Sequence, residues 1–396
     1  MFREKPITMT TNTLPRIAII GAGPGGLTLA RLLQMHTIPT TVFEKENHPN
    51  ERPQGGTLDL HTGSGLLAVH LAGLDAQFAP IARYEDQGMH VLSKEGQVLY
   101  TSEQENEVEV LGDHPEVDQA ELRAMVRGER PEVDRAELRA MLLDSLAPGV
   151  VRWGHPLRSV RQAHDGSHEL VFEHGQTEHF DLVVGADGAW SRVRPLLSNA
   201  TPTYAGVTFI EFGLDDVDQL HPTLARLVGH GSMGVLPENN KRLVAQRNAH
   251  AHIRVYAAMR IPEKWETTNG FDASNPQKAR AWLLNYFSDW DQSLLALIQE
   301  SNDLFAVRPL YSLPIGHRWQ FHAGATLLGD AAHLTPPSGE GVNLAMLDAV
   351  DLATAIGECS TLEEAVRRYE ATMFARAAIA GRVAEEGMER FLPLVH

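Results

Sequence analysis

One stretch, RIAIIGAGPGGLTLARLLQMHTIPTTVFEKE (Arg16 to Glu46), restricts the fold more than any other part of the chain. An apolar run, Ile17–Ile20, leads directly into Gly21, Gly23 and Gly26, and apolar residues then recur at helical spacing through Leu29, Leu32 and Leu33. Strand, tight glycine turn and helix in this order form a dinucleotide-binding βαβ start. Gly21 permits the turn, Gly23 lets backbone N–H groups approach a pyrophosphate, and Gly26 lets helix and strand pack closely. Pro24, between these glycines, is expected among the cofactor-binding residues. A second strand ends at Glu44, 44 − 21 = 23 residues past the first glycine, followed by Lys45. A carboxylate there accepts from both hydroxyls of an unphosphorylated ribose, which selects FAD or NAD over NADP as the nucleotide on this fingerprint.

The same glycine spacing recurs in LVGHGSMGVLPENN (Gly229, Gly231, Gly234), but Pro237 and Asn239 stand where a helix should begin. That copy is expected to be a hairpin or loop. Two other segments end strands in glycine and aspartate. FDLVVGADGAWSRVRPLL carries Gly185, Asp187 and Gly188, and GATLLGDAAHLTPPSGEGVNLAMLDAVDLATAI carries Gly329 and Asp330 before a Pro/Gly loop and a helix from Val342. Taken singly, each reads equally as an ordinary βα turn.

In this order the three motifs resemble those of the class A FAD-dependent aromatic monooxygenases, the para-hydroxybenzoate hydroxylase type, from Arg16 onward. ERPQGGTLDLHTGSGLLAVHLAGL (51–74), AELRAMLLDSL (136–146), FSDWD (287–291) and GDAAHLTPP (329–337) are most similar to segments of the tetracycline-inactivating enzymes. The resemblance implies an α/β chain with a Rossmann-like FAD-binding domain, an inserted β-rich substrate domain and a long C-terminal bridging helix. It implies that Asp59, Arg139, Asp187 and Asp330 contact FAD, that Arg52 meets NADPH, and that Gly341, Val342 and Asn343 present N–H groups to the flavin. In such enzymes NADPH reduces the flavin, O2 adds to it as a C4a-hydroperoxide, and the oxygen passes to an electron-rich phenol or enol carbon. Pro336, Pro337 and Gly339 would wall the site where substrate meets flavin, and Glu211 and Arg254 are the polar candidates of the substrate domain. The chain departs from the family pattern in a loop one residue shorter between His333 and Asn343, and in Glu340 where many members have glutamine. Neither Glu211 nor Arg254 matches the substrate contacts of the tetracycline enzymes.

The expected domains are 14–77, 103–198 and 305–358 for FAD, 78–102 and 199–304 for substrate, and 359–396 for the C-terminal helix. Ala365, Tyr369, Met373, Ala377 and Ala380 recur at three-to-four spacing and predict one amphipathic helix over Leu362 to Phe391. GMHVLSKEGQVLYT (88–101) reads as a hairpin around a KEG turn. PEVDQAELRAM (115–125) returns as PEVDRAELRAM (131–141), a shift of 131 − 115 = 16 residues. Only the second copy continues into an apolar stripe long enough to dock, so Arg139 and not Arg123 is expected at the FAD. The first copy reads as a tolerated duplication, as a short helix over the pocket, or as a sequence artefact.

The other chemistry classes find little support. A net charge of −17 repels a phosphate backbone or anionic membrane, so neither nucleic acid nor membrane is expected as a partner. A single cysteine, Cys359, excludes an internal disulfide and suits the cytoplasm. No apolar run reaches the roughly 18 residues of a membrane span, and the leader before Arg16 lacks a signal-peptide core. No catalytic triad, metal-ligand set or paired carboxylates stand out, and His250 and His252 read as exposed residues with no third ligand, so no metal is expected. A bound cofactor therefore carries the chemistry. The expected partners are a small aromatic or polyketide molecule and O2, and the protein a monomer. A flavin halogenase is disfavoured by the absence of a WxWxIP-type stretch, and a flavin-binding protein without oxygenase activity stays open.

Overall fold

The computed structural model describes residues 14–52, 55–84, 88–101, 109–110 and 130–394. The first copy of the repeat, with Arg123, lies outside the described residues. Ile17–Ile20 (β1) is buried throughout, as a parallel strand covered on both faces must be. It is flanked by the parallel strands Thr40–Phe43 (β2) and Leu182–Gly185, and the five-stranded sheet runs in the order 325–327, 182–185, 17–20, 40–43, 151–152. Pro24–Met35 (α1) leaves the carboxyl end of β1 and Gly341–Glu358 (α2) packs beside it.

The glycines of the first motif are sterically obligatory at two positions. Gly21 has φ +108°, and a Cβ there would lie 2.4 Å from the Ala186 carbonyl oxygen. A Cβ on Gly26 would lie 2.2 Å from the carbonyl oxygen of Gly21. At Gly23 nothing stands within 4 Å, so the turn is open outward.

The second sheet has eight strands in the order 306–312, 203–214, 252–260, 241–248, 232–235, 89–92, 98–101, 109–110. It takes in Ala306–Ser312, one strand beyond the boundary expected at residue 304, and Glu109–Val110, beyond the one at 102. The hairpin at 89–101 joins this sheet, and the second glycine cluster forms a helix end, a turn and the strand Ser232–Val235. In HIRVYAAMR (252–260), Ile253, Val255 and Ala257 pack into the core with Leu283, Phe287 and Leu294. Arg254 and Tyr256 alternate with them and therefore face the other way.

The helix predicted over 362–391 is observed with those bounds (α3, Leu362–Phe391). Val366, Tyr369 and Met373 belong to the core around the first sheet, and Met388 and Leu392 pack with Val207 and Ala258 of the second. None of the helices is long and apolar enough to cross a membrane among the described residues.

Candidate active site

The first motif is held by buried charge. Glu44, at the end of β2, accepts from the Ala22 N–H at 2.7 Å and the Glu46 N–H at 3.1 Å. Two residues on, buried Glu46 receives Arg139 Nη2 at 2.9 Å and also the Nε of Arg52. Arg139 further donates to the carbonyls of Ala22 at 2.9 Å and Pro49 at 3.0 Å. It rides on the helix Arg135–Asp144, whose Leu138, Met141 and Leu142 are buried as the stripe predicts. Arg139 therefore clamps the glycine turn to the loop after β2, and Lys45 beside it is exposed. Glu46, the anion that joins Arg52 to Arg139, escaped the sequence reading, although its spacing of two from Glu44 was a usable signal.

A second clip joins the loop after Asp59 to the start of α2. Asn343 is fully buried, and its Oδ1 accepts from the N–H groups of His61 at 2.9 Å and Gly65 at 3.1 Å. Its Nδ2 donates to the Asp59 carbonyl at 2.8 Å and the Gly339 carbonyl at 3.3 Å. The side chain is thus engaged within the protein, and only backbone N–H groups at Gly341–Asn343 remain for a ligand at the positive end of α2. Glu340, the departure from the family pattern, pairs with His61 at 3.2 Å, and that hydrogen bond holds its carboxyl below the usual range.

Asp330 opens a short helix at the carboxyl end of the strand Ala325–Leu327 and is exposed. Behind it lies a network the sequence reading missed. Buried Asp348 accepts from the Gly329 N–H at 2.9 Å and from Arg376 of α3 at 2.7 Å, and meets His333 Nε2 at 2.6 Å. Burial opposes charge on both groups, yet their mutual attraction leaves the His333 pKa raised and that of Asp348 lowered. Asp187 accepts from the Arg192 N–H at 2.6 Å through one oxygen, while its other oxygen is buried without a partner. Burial raises its pKa.

The proposed substrate residues fall into two places. Arg254 donates to Glu211, which also receives Arg308 at 3.1 Å. Pro336 lines a separate cavity of about 300 Å³ between Ser312–His317 and α3, which Glu211, Arg254 and Gly339 do not line. The cavity of about 820 Å³ between His90, Leu224 and Ala296 is lined by none of the predicted site residues.

This geometry suits an extended dinucleotide. The open turn at Gly23, the uncapped N–H groups opening α1 and the unpartnered oxygen of Asp187 lie at the carboxyl ends of adjacent parallel strands, the ligand position in open α/β sheets. Residues 15–386 match the family described as FAD binding domain. The monooxygenase penA of Penicillium thymicola is 32% identical over 93% of this chain and 93% of its own. Klebsiella pneumoniae HpxO, solved with FAD and uric acid, superposes at a TM-score of 0.76 with 21% identity, covering 96% of this chain and 89% of that one. The tetracycline destructase Tet(51) gives 0.66 with 20% identity over 94% and 91%, a likeness of fold alone. The chain belongs to the FAD-binding-domain family of class A flavin-dependent monooxygenases, and it is an oxidoreductase.

Proposed function

We propose that the protein uses NADPH and O2 to hydroxylate an electron-rich phenol or enol carbon of an aromatic or polyketide substrate. The observation that carries this reading is the convergence of the open Gly23 turn, Asp187, Asp330 and the start of α2 at one end of the parallel sheet. In that reading Gly21, Gly23, Pro24, Gly26, Glu44 and Lys45 hold the adenosine diphosphate part of FAD. Asp59, Arg139, Asp187 and Asp330 hold the remainder, and Arg52 meets NADPH. When bound, the flavin supplies the electrons and the activated oxygen.

The protein's own part is positional. The N–H groups of Gly341, Val342 and Asn343 stabilise negative charge at the positive end of α2. The Asn343 clip fixes the loop of Asp59 against that end, and Pro336 and Gly339 shield the site from water. The domain division follows the two sheets, with Glu211 and Arg254 facing substrate. Tetracyclines are one member of the substrate class, supported by likeness of fold.

The test mixes purified protein with NADPH, first without oxygen and then with oxygen and a panel of phenols, tetracyclines and related enols. Bleaching of the flavin by NADPH and a product heavier by one oxygen atom are expected. Flavin that NADPH does not reduce, or reduction that yields peroxide with every substrate, would overturn the reading.

A further inference from the structure

The loop of the first lobe that carries Gly55 and Gly56 lies against the polar face of the second sheet. A methyl group on Gly56 would stand 2.8 Å from the Tyr256 hydroxyl oxygen, 3.1 Å from Arg254 Cδ and 3.5 Å from Arg254 Nε. One on Gly55 would stand 3.6 Å from both Cδ and Nε of Arg135. Two adjacent glycines are therefore ringed by a phenol and two guanidinium groups from two separate elements, the strand His252–Arg260 and the helix Arg135–Asp144.

These donors are short of acceptors. Arg135 makes no side-chain hydrogen bond or ion pair among the described residues, and Asp330, Tyr256 and Arg52 act on it only through space. Arg254 gives one nitrogen to Glu211, but its Nε is buried with no partner. The Tyr256 hydroxyl has no hydrogen-bond partner among the described residues, and burial pushes its pKa up to about 12, so it stays a proton donor. Glu211 already serves both Arg254 and Arg308. Phe209, with its ring centroid 5.9 Å from that of Tyr256, adds an apolar wall. Buried donors without acceptors are costly, and a chain with a net charge of −17 that gathers cations at one junction has made a local exception.

We infer that Arg135, Arg254 and Tyr256 form a recognition subsite for an anionic oxygen of the substrate, a carboxylate or an ionised enol. This rests on the monooxygenase reading and narrows it to acidic substrates. The planar guanidinium groups and the phenol supply N–H and O–H donors to oxygens that carry charge, the strong form of hydrogen bond. The subsite joins the two lobes, since Arg135 begins the helix that also carries Arg139, while Arg254 and Tyr256 belong to the second sheet.

The test titrates the FAD-loaded protein with matched pairs and follows the change in flavin absorbance. The pairs are 3-amino-4-hydroxybenzoate with its carboxamide, for a carboxylate, and 4-hydroxycoumarin with 4-methoxycoumarin, for an enol. The wild-type protein is expected to prefer the anionic member of at least one pair by about tenfold or more, the worth of one charge-assisted hydrogen bond. Tyr256→Phe and Arg135→Gln should each remove most of that preference while FAD content stays unchanged, and Arg135→Lys should restore part of it. Tyr256→Phe removes only a hydroxyl, so it decides the matter if Arg135→Gln fails to fold. Equal affinity for both members of each pair, equal weakening of both in the variants, or loss of FAD from Arg135→Gln would overturn the inference. A wild-type protein that takes up FAD but is not reduced by NADPH would fail the monooxygenase reading instead, leaving the anion preference to stand or fall in the titration.

Discussion

At the scale of single residues, the two arginines that share Glu46 differ in burial and in the number of groups they tie together. Arg139 is buried and ties together Ala22, Glu46 and Pro49, whereas Arg52 is exposed and meets the other oxygen of the same carboxylate. Arg139→Ala should lower stability by about 3–5 kcal/mol, since removing one member of a buried pair leaves polar groups unmatched, and should weaken FAD binding with it. Urea unfolding with and without FAD measures both. Arg139→Lys should recover little, because an ammonium cannot reach three acceptors with a planar fork. Arg52→Ala leaves Glu46 its second partner, so flavin content should hold while reduction by NADPH slows; Asp330→Ala should release flavin. Rapid-mixing reduction and absorbance of the purified variants distinguish the two, and equal flavin loss would refute the division. Gly21, Gly26 and Glu44 were legible in the sequence because strand, turn and carboxylate are local. Arg135 and Tyr256 were not, because their meaning comes from a glycine pair about 80 residues from one and 200 from the other.

Among the elements, α3 shows what periodicity can and cannot supply. Its bounds follow from apolar residues at three-to-four spacing and from Thr361, whose side chain caps the helix by accepting from the Glu364 N–H at 3.2 Å. What it touches was not readable: the first half packs under the parallel sheet, while Met388, Phe391 and Leu392 reach Val207, Phe209 and Ala258. Arg242 donates to the Phe391 carbonyl at 3.0 Å, and Arg260 pairs with Glu389 at 2.9 Å. Ending the chain at Arg382 should therefore cost on the order of 4 kcal/mol, from the apolar side chains exposed at the second sheet. Thermal unfolding should show that sheet melting early while the flavin stays bound. A single unshifted transition would mean the end of the helix carries no stability. The sheet to which Ala306–Ser312 belongs was unreadable for a related reason, since it alternates like any strand and only its pairing with Thr203–Leu214 assigns it.

For the molecule as a whole, two buried histidines set opposing responses to pH. His168 is fully buried with both ring nitrogens unpartnered, and desolvation, aided by His322, depresses its pKa to about 4. The unfolded chain binds that proton first, so stability is lost as pH falls from about 6.5 toward 4. His333 is the reverse case: its folded pKa is raised, so its contribution is complete below the unfolded value and disappears as pH rises through the folded one. His168→Leu should flatten the acid limb by up to about one proton, measured by denaturant unfolding at pH 7.5 and pH 5. An unchanged slope would show that His168 is already protonated in the native state.

The strand order of the first sheet also sets a timetable for synthesis. Its edge strand, Ala325–Leu327, and the helices that follow it are made only after all eight strands of the second sheet, the last of which ends at Ser312. The lobe begun first is thus finished last, after the inserted lobe has had time to fold. A ribosome stalled near residue 320 would hold a nascent chain with the glycine turn formed but its neighbouring wall missing, unable to retain FAD. Cofactor loading is then coupled to synthesis of Ala325–Leu327 and α2, which complete that wall.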